Sequence, residues 1–248
     1  MKSICNRLKA IAILLCFALT AVSAVAQGID VSKYQGKINW SKVAKSKSVK
    51  FVYIKATEGA SIKDPNYKAN IDSARNAGLY VGSYHVYSSK TTASEQFANF
   101  KSRVSKKKQD LIPVLDIEGY HSGRLDMARV DKLLQLMEKE YGVKPMIYTS
   151  EKLYQDHFAI KKYSAYHIFV AKYKGAPSIR YTLWQHSQTG RVKGISGNVD
   201  LDKFGPKHSL YDIAMPKLRK KLKKDEDDTT DSTKAKSGAS KKDSTKSK

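Results

Sequence analysis

The chain has 248 residues, and its 46 Lys and Arg against 23 Asp and Glu give a formal charge of +23. With 41% apolar and 28% charged residues it can bury one substantial core, which excludes wholesale disorder and a bundle of membrane spans. What the charge means depends on where along the chain it sits.

Residues 1–26 carry Lys2, Arg7 and Lys9 without an acid, then an apolar run from Ala10 to Val22, then Ala24-Val25-Ala26 before Gln27. This is the three-part pattern of a secretory signal peptide, with cleavage expected after Ala26 and export to the periplasm or the medium. The run is shorter than the ~20 residues of a spanning helix. Leu15 also stands before Cys16, where a lipoprotein signal has a small residue. An uncleaved anchor and lipid attachment are the weaker alternatives. Cleavage removes Cys5 and Cys16, so the mature protein is expected to have no disulfide, no thiol chemistry and no membrane span.

From Gly28 onward, short runs rich in β-branched and aromatic residues alternate with amphipathic stretches of helical length. Strands are expected at 28–32, 51–56, 80–87, 112–117, 145–148, 167–172, 182–186 and 199–201. Helices are expected at 40–46, 65–77, 93–105, 128–141 and 151–159, two of them followed by the potential capping glycines Gly78 and Gly142. Strand and helix in alternation imply a parallel sheet, and eight strands suit a closed (β/α) barrel. The last strands lack intervening helices, so an irregular closing section is expected, with an open doubly wound sheet as the competing architecture. From Pro216 the chain has no aromatic residue and is rich in Lys, Ser, Thr and Asp, which predicts a disordered tail over 216–248. That tail holds 12 basic and 6 acidic residues, a net +6, and the signal holds +3. The remaining +14 falls on residues 27–215, the expected single barrel domain. Such a surface favours an anionic partner, or serves solubility alone.

In either architecture the reactive groups belong at the C-terminal ends of the strands. The fourth strand ends in Leu-Asp-Ile-Glu, and alternation puts Asp116 and Glu118 on one face. Two adjacent carboxyls raise the pKa of at least one, which suits chemistry needing one protonated and one ionised acid. Both could instead be hydrated at a strand end. Asp30 ends the first strand, Glu58 follows the second and Asp200 lies in the eighth, and a barrel would gather them on the same rim. Tyr34, Tyr84, Tyr148, Tyr173 and Trp184 fall near those ends, where flat amphipathic rings can stack on sugars or pack in the core. His85 and Gln185 are further candidates to line the pocket. No glycine loop of phosphate-binding type, metal-ligand spacing or G-x-S-x-G elbow is present, so no cofactor and no metal are expected.

The segments GIDVSKYQGKINW, FVYIKATEG, AGLYVGSYHVY, LIPVLDIEG and LWQHSQTGRVKGISGNVDLDKF occur in the order found in glycoside hydrolase family 25, and the resemblance covers residues 28 to about 205. It implies an irregular (β/α) barrel that cleaves the β-1,4 bond between N-acetylmuramic acid and N-acetylglucosamine in peptidoglycan. It implies Glu118 as the general acid and Asp116 as the ionised group that stabilises positive charge on the sugar or on an intermediate formed by its acetamido group. Asp30 and Asp200 then position substrate or tune the pair. Val86, Phe169 and Asp202 stand where the family often has Phe, Trp and Asn, and they bear on glycan preference. The leading expectation is a monomeric, secreted lysozyme that meets peptidoglycan, with anionic envelope polymers as further partners of its basic surface and tail. A catalytically silent wall-binding protein on the same barrel is the alternative. The export signal and the lack of a recognition motif oppose a nucleic-acid binder.

Overall fold

The computed structural model describes residues 27–118 and 125–226. The expected signal and the end of the expected tail lie outside them.

Eight strands close into a barrel. In chain order they are β1 (Gly28–Val31), β2 (Phe51–Glu58), β4 (Tyr80–Val86), β5 (Val114–Ile117), β6 (Met146–Ser150), β7 (Ile168–Ala171), β8 (Leu183–Gly190) and β9 (Val199–Phe204). β1, β2, β4, β5, β6, β7 and β8 lie side by side in parallel, and β9 runs antiparallel to both β8 and β1, so the barrel is closed. A two-residue β3 (Ile62–Lys63) folds back on the end of β2. The irregular closing section is therefore a hairpin, which a short loop can make. A parallel ninth strand would have required a long crossover.

The five expected helices are present: α1 (Trp40–Lys45), α2 (Tyr67–Asn76), α3 (Ala93–Arg103), α4 (Met127–Tyr141) and α5 (Glu151–Leu153), the last continued by a π-helical turn through Phe158. Thr92 and Glu95 form a capping box at the start of α3. Gly142 ends α4 at φ +72°, a left-handed conformation that glycine adopts without strain.

The pleat sorts the side chains of each strand into two cores. Ile29, Val31, Val52, Ile54, Leu115, Ile117, Ile147 and Val170 face outward and pack with Ile71, Phe100 and Leu134 of the helices. Phe51, Tyr53, Val114, Met146, Tyr148, Phe169 and Leu183 face inward. At the N-terminal end of the strands the interior is plugged. Leu111 bridges Ala214, Ile112 N–H donates to Ile213 O and Met215 N–H donates to Asp110 O. The plug follows a one-turn α6 (Leu210–Ile213) and leads into a helix over residues 216–226, here α7.

That helix corrects the expected boundary at residue 215. Leu218 is buried and Leu222 packs on the same inner cluster. Two leucines one helical turn apart anchor a segment whose lysine content otherwise reads as unstructured.

Candidate active site

A cavity of about 430 Å³ opens at the C-terminal ends of the strands. β1 supplies Asp30, β5 supplies Asp116 with Glu118 just beyond it, and β9 supplies Asp200. Asp30 and Asp200 are directly opposed across the β1–β9 pair. Asp116 follows Val114 on the inward face while Leu115 and Ile117 point to the helices, as the alternation predicts. Asp30 and Asp116 are each only 8% exposed, whereas Glu118 sits at the open mouth.

The orientation of Asp30 is set by a polar chain. The hydroxyls of Tyr148 and Tyr173 donate to Gln185 Oε1 at 2.9 and 2.6 Å, which turns Gln185 Nε2 to donate to Asp30 Oδ2 at 2.7 Å. Both acceptor sites of the amide oxygen are thus used, and the amide has one sensible orientation. Lys55 enters the same space and pairs with Glu58 at 2.7 Å.

Crowding five carboxyl groups around one lysine in a cavity where two of them are almost fully buried makes ionisation costly. Burial pushes the Asp30 carboxyl well above its usual range, and the charges of Asp200 and Glu118 push it further. Asp116 is raised by burial, then by Glu118 and Asp30, with Lys55 opposing. Asp200 is pushed up to about 6 by burial, while a hydrogen bond from Asp30 pulls it back. Burial and mutual repulsion thus disfavour a second charge on the opposed Asp30 and Asp200. The oxygen Oδ1 of Asp116 has no partner among the described residues, which leaves a buried acceptor free for a ligand donor. A blind, carboxyl-lined cleft of this kind can deliver a proton to an ether oxygen and stabilise the cation left behind.

The sequence profile of Glycosyl hydrolases family 25 matches residues 29–195. The chain belongs to glycosyl hydrolase family 25. It is 37% identical over 202 residues to Lysozyme M1 of Streptomyces globisporus, a match covering 72% of this chain and 67% of that one. To the uncharacterized protein YegX of Escherichia coli K12 it is 36% identical over 192 residues, covering 73% of this chain and 70% of YegX. Among solved structures, a bacterial lysozyme from Streptomyces coelicolor aligns with a TM-score of 0.66 at 34% identity, covering 72% of this chain and 91% of that one. A family 25 glycosyl hydrolase from Bacillus anthracis aligns at 0.65 and 30%, covering 73% and 89%. Membership makes the chain a glycoside hydrolase of the lysozyme type, and peptidoglycan is the substrate consistent with it.

Of the residues singled out for this family 25 barrel, Asp30, Asp116, Glu118 and Asp200 meet in the cavity, together with Tyr34, Glu58, Tyr84, Tyr148, Tyr173 and Gln185. Glu58 reaches it because a bulge between Lys55 and Thr57 shifts the strand by one residue and restores Glu58 to the inner face. His85 and Trp184 do not line it. Each sits next to a residue that does, Tyr84 and Gln185, so the pleat turns it outward. His85 is fully buried between β4 and α3, where Thr57 Oγ1 donates to its Nδ1 at 2.7 Å and its Nε2 donates to Gln96 Oε1 at 3.3 Å. Burial pushes its pKa down to about 4, so it is a neutral structural link. Trp184 donates to Lys172 O at 2.6 Å and is covered outside the barrel by Lys203, 4.1 Å from its ring centre.

Among the lining residues that sequence reasoning missed, Lys55, Tyr53, Gln35 and Gln188 carry polar groups into the cavity. Lys55 was legible, because it follows Phe51 and Tyr53 at steps of two on the inward face. Of the family departures, Val86 and Phe169 line the cavity. Asp202 lies one step below Asp200 on the same face, opposite Gly28, with no exposure and no hydrogen-bond partner for either oxygen among the described residues. Burial raises its pKa well above the usual range, and the charges of Asp30 and Asp200 add to the effect.

Proposed function

We propose that this chain is an exported muramidase that hydrolyses the β-1,4 bond between N-acetylmuramic acid and N-acetylglucosamine in peptidoglycan. Glu118 protonates the leaving glycosidic oxygen. Asp116, whose Oδ1 is left without a protein partner, accepts from the acetamido N–H of the sugar and faces the positive charge that develops there. Positive charge developing on the sugar favours the ionised form of Asp116 and so offsets the burial that raises its pKa. The raised pKa values of Asp30 and Asp200 limit how much further negative charge gathers beside the pair. Tyr34, which is 80% exposed, and Tyr173, which is 45% exposed, stand at the rim with ring faces available to sugars.

The observation that carries this reading is the division of one Asp-x-Glu step into a buried carboxyl and a carboxyl at the mouth of a cleft, in a chain of a glycoside hydrolase family. It is supported by relatives named as lysozymes. Among the described residues no helix is long and apolar enough to cross a membrane, and export rests on the pattern of residues 1–26. Replacing Glu118 by Gln is expected to lower release of muropeptides from purified peptidoglycan by about a thousandfold or more, with an unchanged melting temperature. Mass spectrometry of the wild-type digest should find N-acetylmuramic acid at the new reducing ends. N-acetylglucosamine there, or an active variant, overturns the assignment.

A further inference from the structure

The helix over residues 216–226 begins at the plug, on the end of the barrel opposite the cleft. Its sequence from Lys217 is KLRKKLKKDE. At 100° per residue, Leu218 and Leu222 share one face, and both are engaged by the barrel interior. Lys217, Lys220, Lys221 and Lys224 follow the i, i+3, i+4, i+7 pattern and form a stripe roughly 10 Å long on another face. All four are exposed, and none is in an ion pair among the described residues. Arg219 is used internally, donating to Tyr211 O and Asp212 O. Asp225 and Glu226 follow at the helix end, beyond the stripe.

A basic amphipathic helix commonly lies on a membrane by inserting its apolar face. Here that face is already buried in the protein, so nothing is left to insert. What faces outward is a row of point charges without the planar fork that arginine brings to carboxylates, which favours a partner recognised by charge density.

We propose that this stripe is a docking surface for a linear phosphodiester polymer attached to the cell wall. It would hold the protein by the end away from its cleft and leave the cleft free to engage glycan. The proposal rests on the wall-hydrolase reading, and binding is therefore measured apart from turnover. In full-length protein carrying Glu118→Gln, pelleting with sacculi that retain their phosphodiester polymers is compared with pelleting on sacculi stripped by hydrofluoric acid and on anionic lipid vesicles. Lys217→Gln, Lys220→Gln, Lys221→Gln and Lys224→Gln together are expected to weaken binding to the intact sacculi at least tenfold at low salt, and raising salt should erase the difference. The same number of Lys→Gln changes at Lys234, Lys236, Lys241 and Lys242 is expected to change binding less than threefold. Stripped sacculi and vesicles should bind the parent protein as weakly as intact sacculi bind the helix variant. Equal loss from both sets of substitutions, undiminished binding to stripped sacculi, or equal binding to vesicles would each overturn the proposal. Release of fragments from soluble, phosphate-free glycan by protein with Glu118 restored should be the same with and without the stripe. If that release is absent in both while the binding pattern holds, the hydrolase reading fails and the docking surface stands.

Discussion

The two halves of the barrel interior are built from the same strands and the same inward-facing positions, yet they are chemically opposite. Going up β5 the inward residues are Val114, Asp116 and Glu118; on β6 they are Met146 and Tyr148; on β8, Leu183 and Gln185; on β2, Phe51, Tyr53 and Lys55. Two residues of strand, about 7 Å, separate a floor that is apolar, apart from the buried Asp202, from a cluster of carboxyls. The floor is sealed by Leu111, Ile112 and the segment from Ile213 to Met215. The comparison teaches that the lower half makes the upper half possible. A cleft with an open floor would admit water to Asp30 and Asp116 and relax the shifts that burial imposes on them.

The sharpest way to break the comparison is to remove the floor alone. Leu111 is fully buried in the lower cluster, and Leu111→Ala is expected to cost about 2–4 kcal/mol of unfolding free energy in a denaturant titration. Turnover per folded molecule should fall as well, because a hole in the floor lets water reach Asp30 and Asp116 and loosens the packing under the cavity-lining Tyr53 and Val114. Undiminished turnover in protein that remains folded would show that the cleft does not depend on its floor.

The upper half should behave in the opposite sense, as a cost to stability that varies with pH. Asp200 has its carboxyl pushed up to about 6, against an ordinary value near 3.8. A raised folded value means that the native state binds the proton more tightly than the unfolded chain. Stability is then fully present below about pH 3.8 and is lost as pH rises through 6. Allowing for the water that reaches its outer edge, the effect is about 2 kcal/mol. Asp200→Asn should flatten the fall in melting temperature between pH 4 and pH 7 relative to the parent and leave the protein more stable at pH 7. Parallel pH curves for the two proteins would count against the burial-driven shift.

How much of this was legible in the sequence follows the same division. All eight barrel strands and the five helices between the first six were readable, because β-branched runs and helical periodicity alternate cleanly from Gly28 to Phe158. The placement of Asp116 with Glu118 was readable because alternation over two residues needs no knowledge of the rest of the strand. His85 and Trp184 were misplaced because nearness to a strand end was applied without parity, and parity forbids either from sharing a face with its neighbour Tyr84 or Gln185. The bulge that returns Glu58 to the cleft leaves no local signature in KATEG. The antiparallel sense of β9 and the docking of Leu218 and Leu222 were hidden for a different reason. Both depend on surfaces that exist only once the barrel has closed.

The smallest expected effect tests the wall between inside and outside at two neighbouring strands. Tyr173 stands at the rim and donates to Gln185, whereas Trp184 lies on the outer side of the strand that carries Gln185. Tyr173→Ala should raise KM for peptidoglycan fragments about five- to tenfold, roughly 1 kcal/mol, with little change in melting temperature. Trp184→Ala should leave KM within twofold and lower the melting temperature, since it removes packing with Lys203 and Tyr181 but nothing from the cleft. Tyr173→Phe separates the two contributions of that ring. If stacking dominates, KM stays close to the parent; if the hydroxyl that orients Gln185 dominates, the Phe variant repeats the Ala one and kcat falls with it, because Asp30 loses the donor that fixes its direction. A Trp184 variant with the KM defect expected of Tyr173 would mean that substrate reaches the outer face of β8, and the inward cleft would no longer account for recognition by itself.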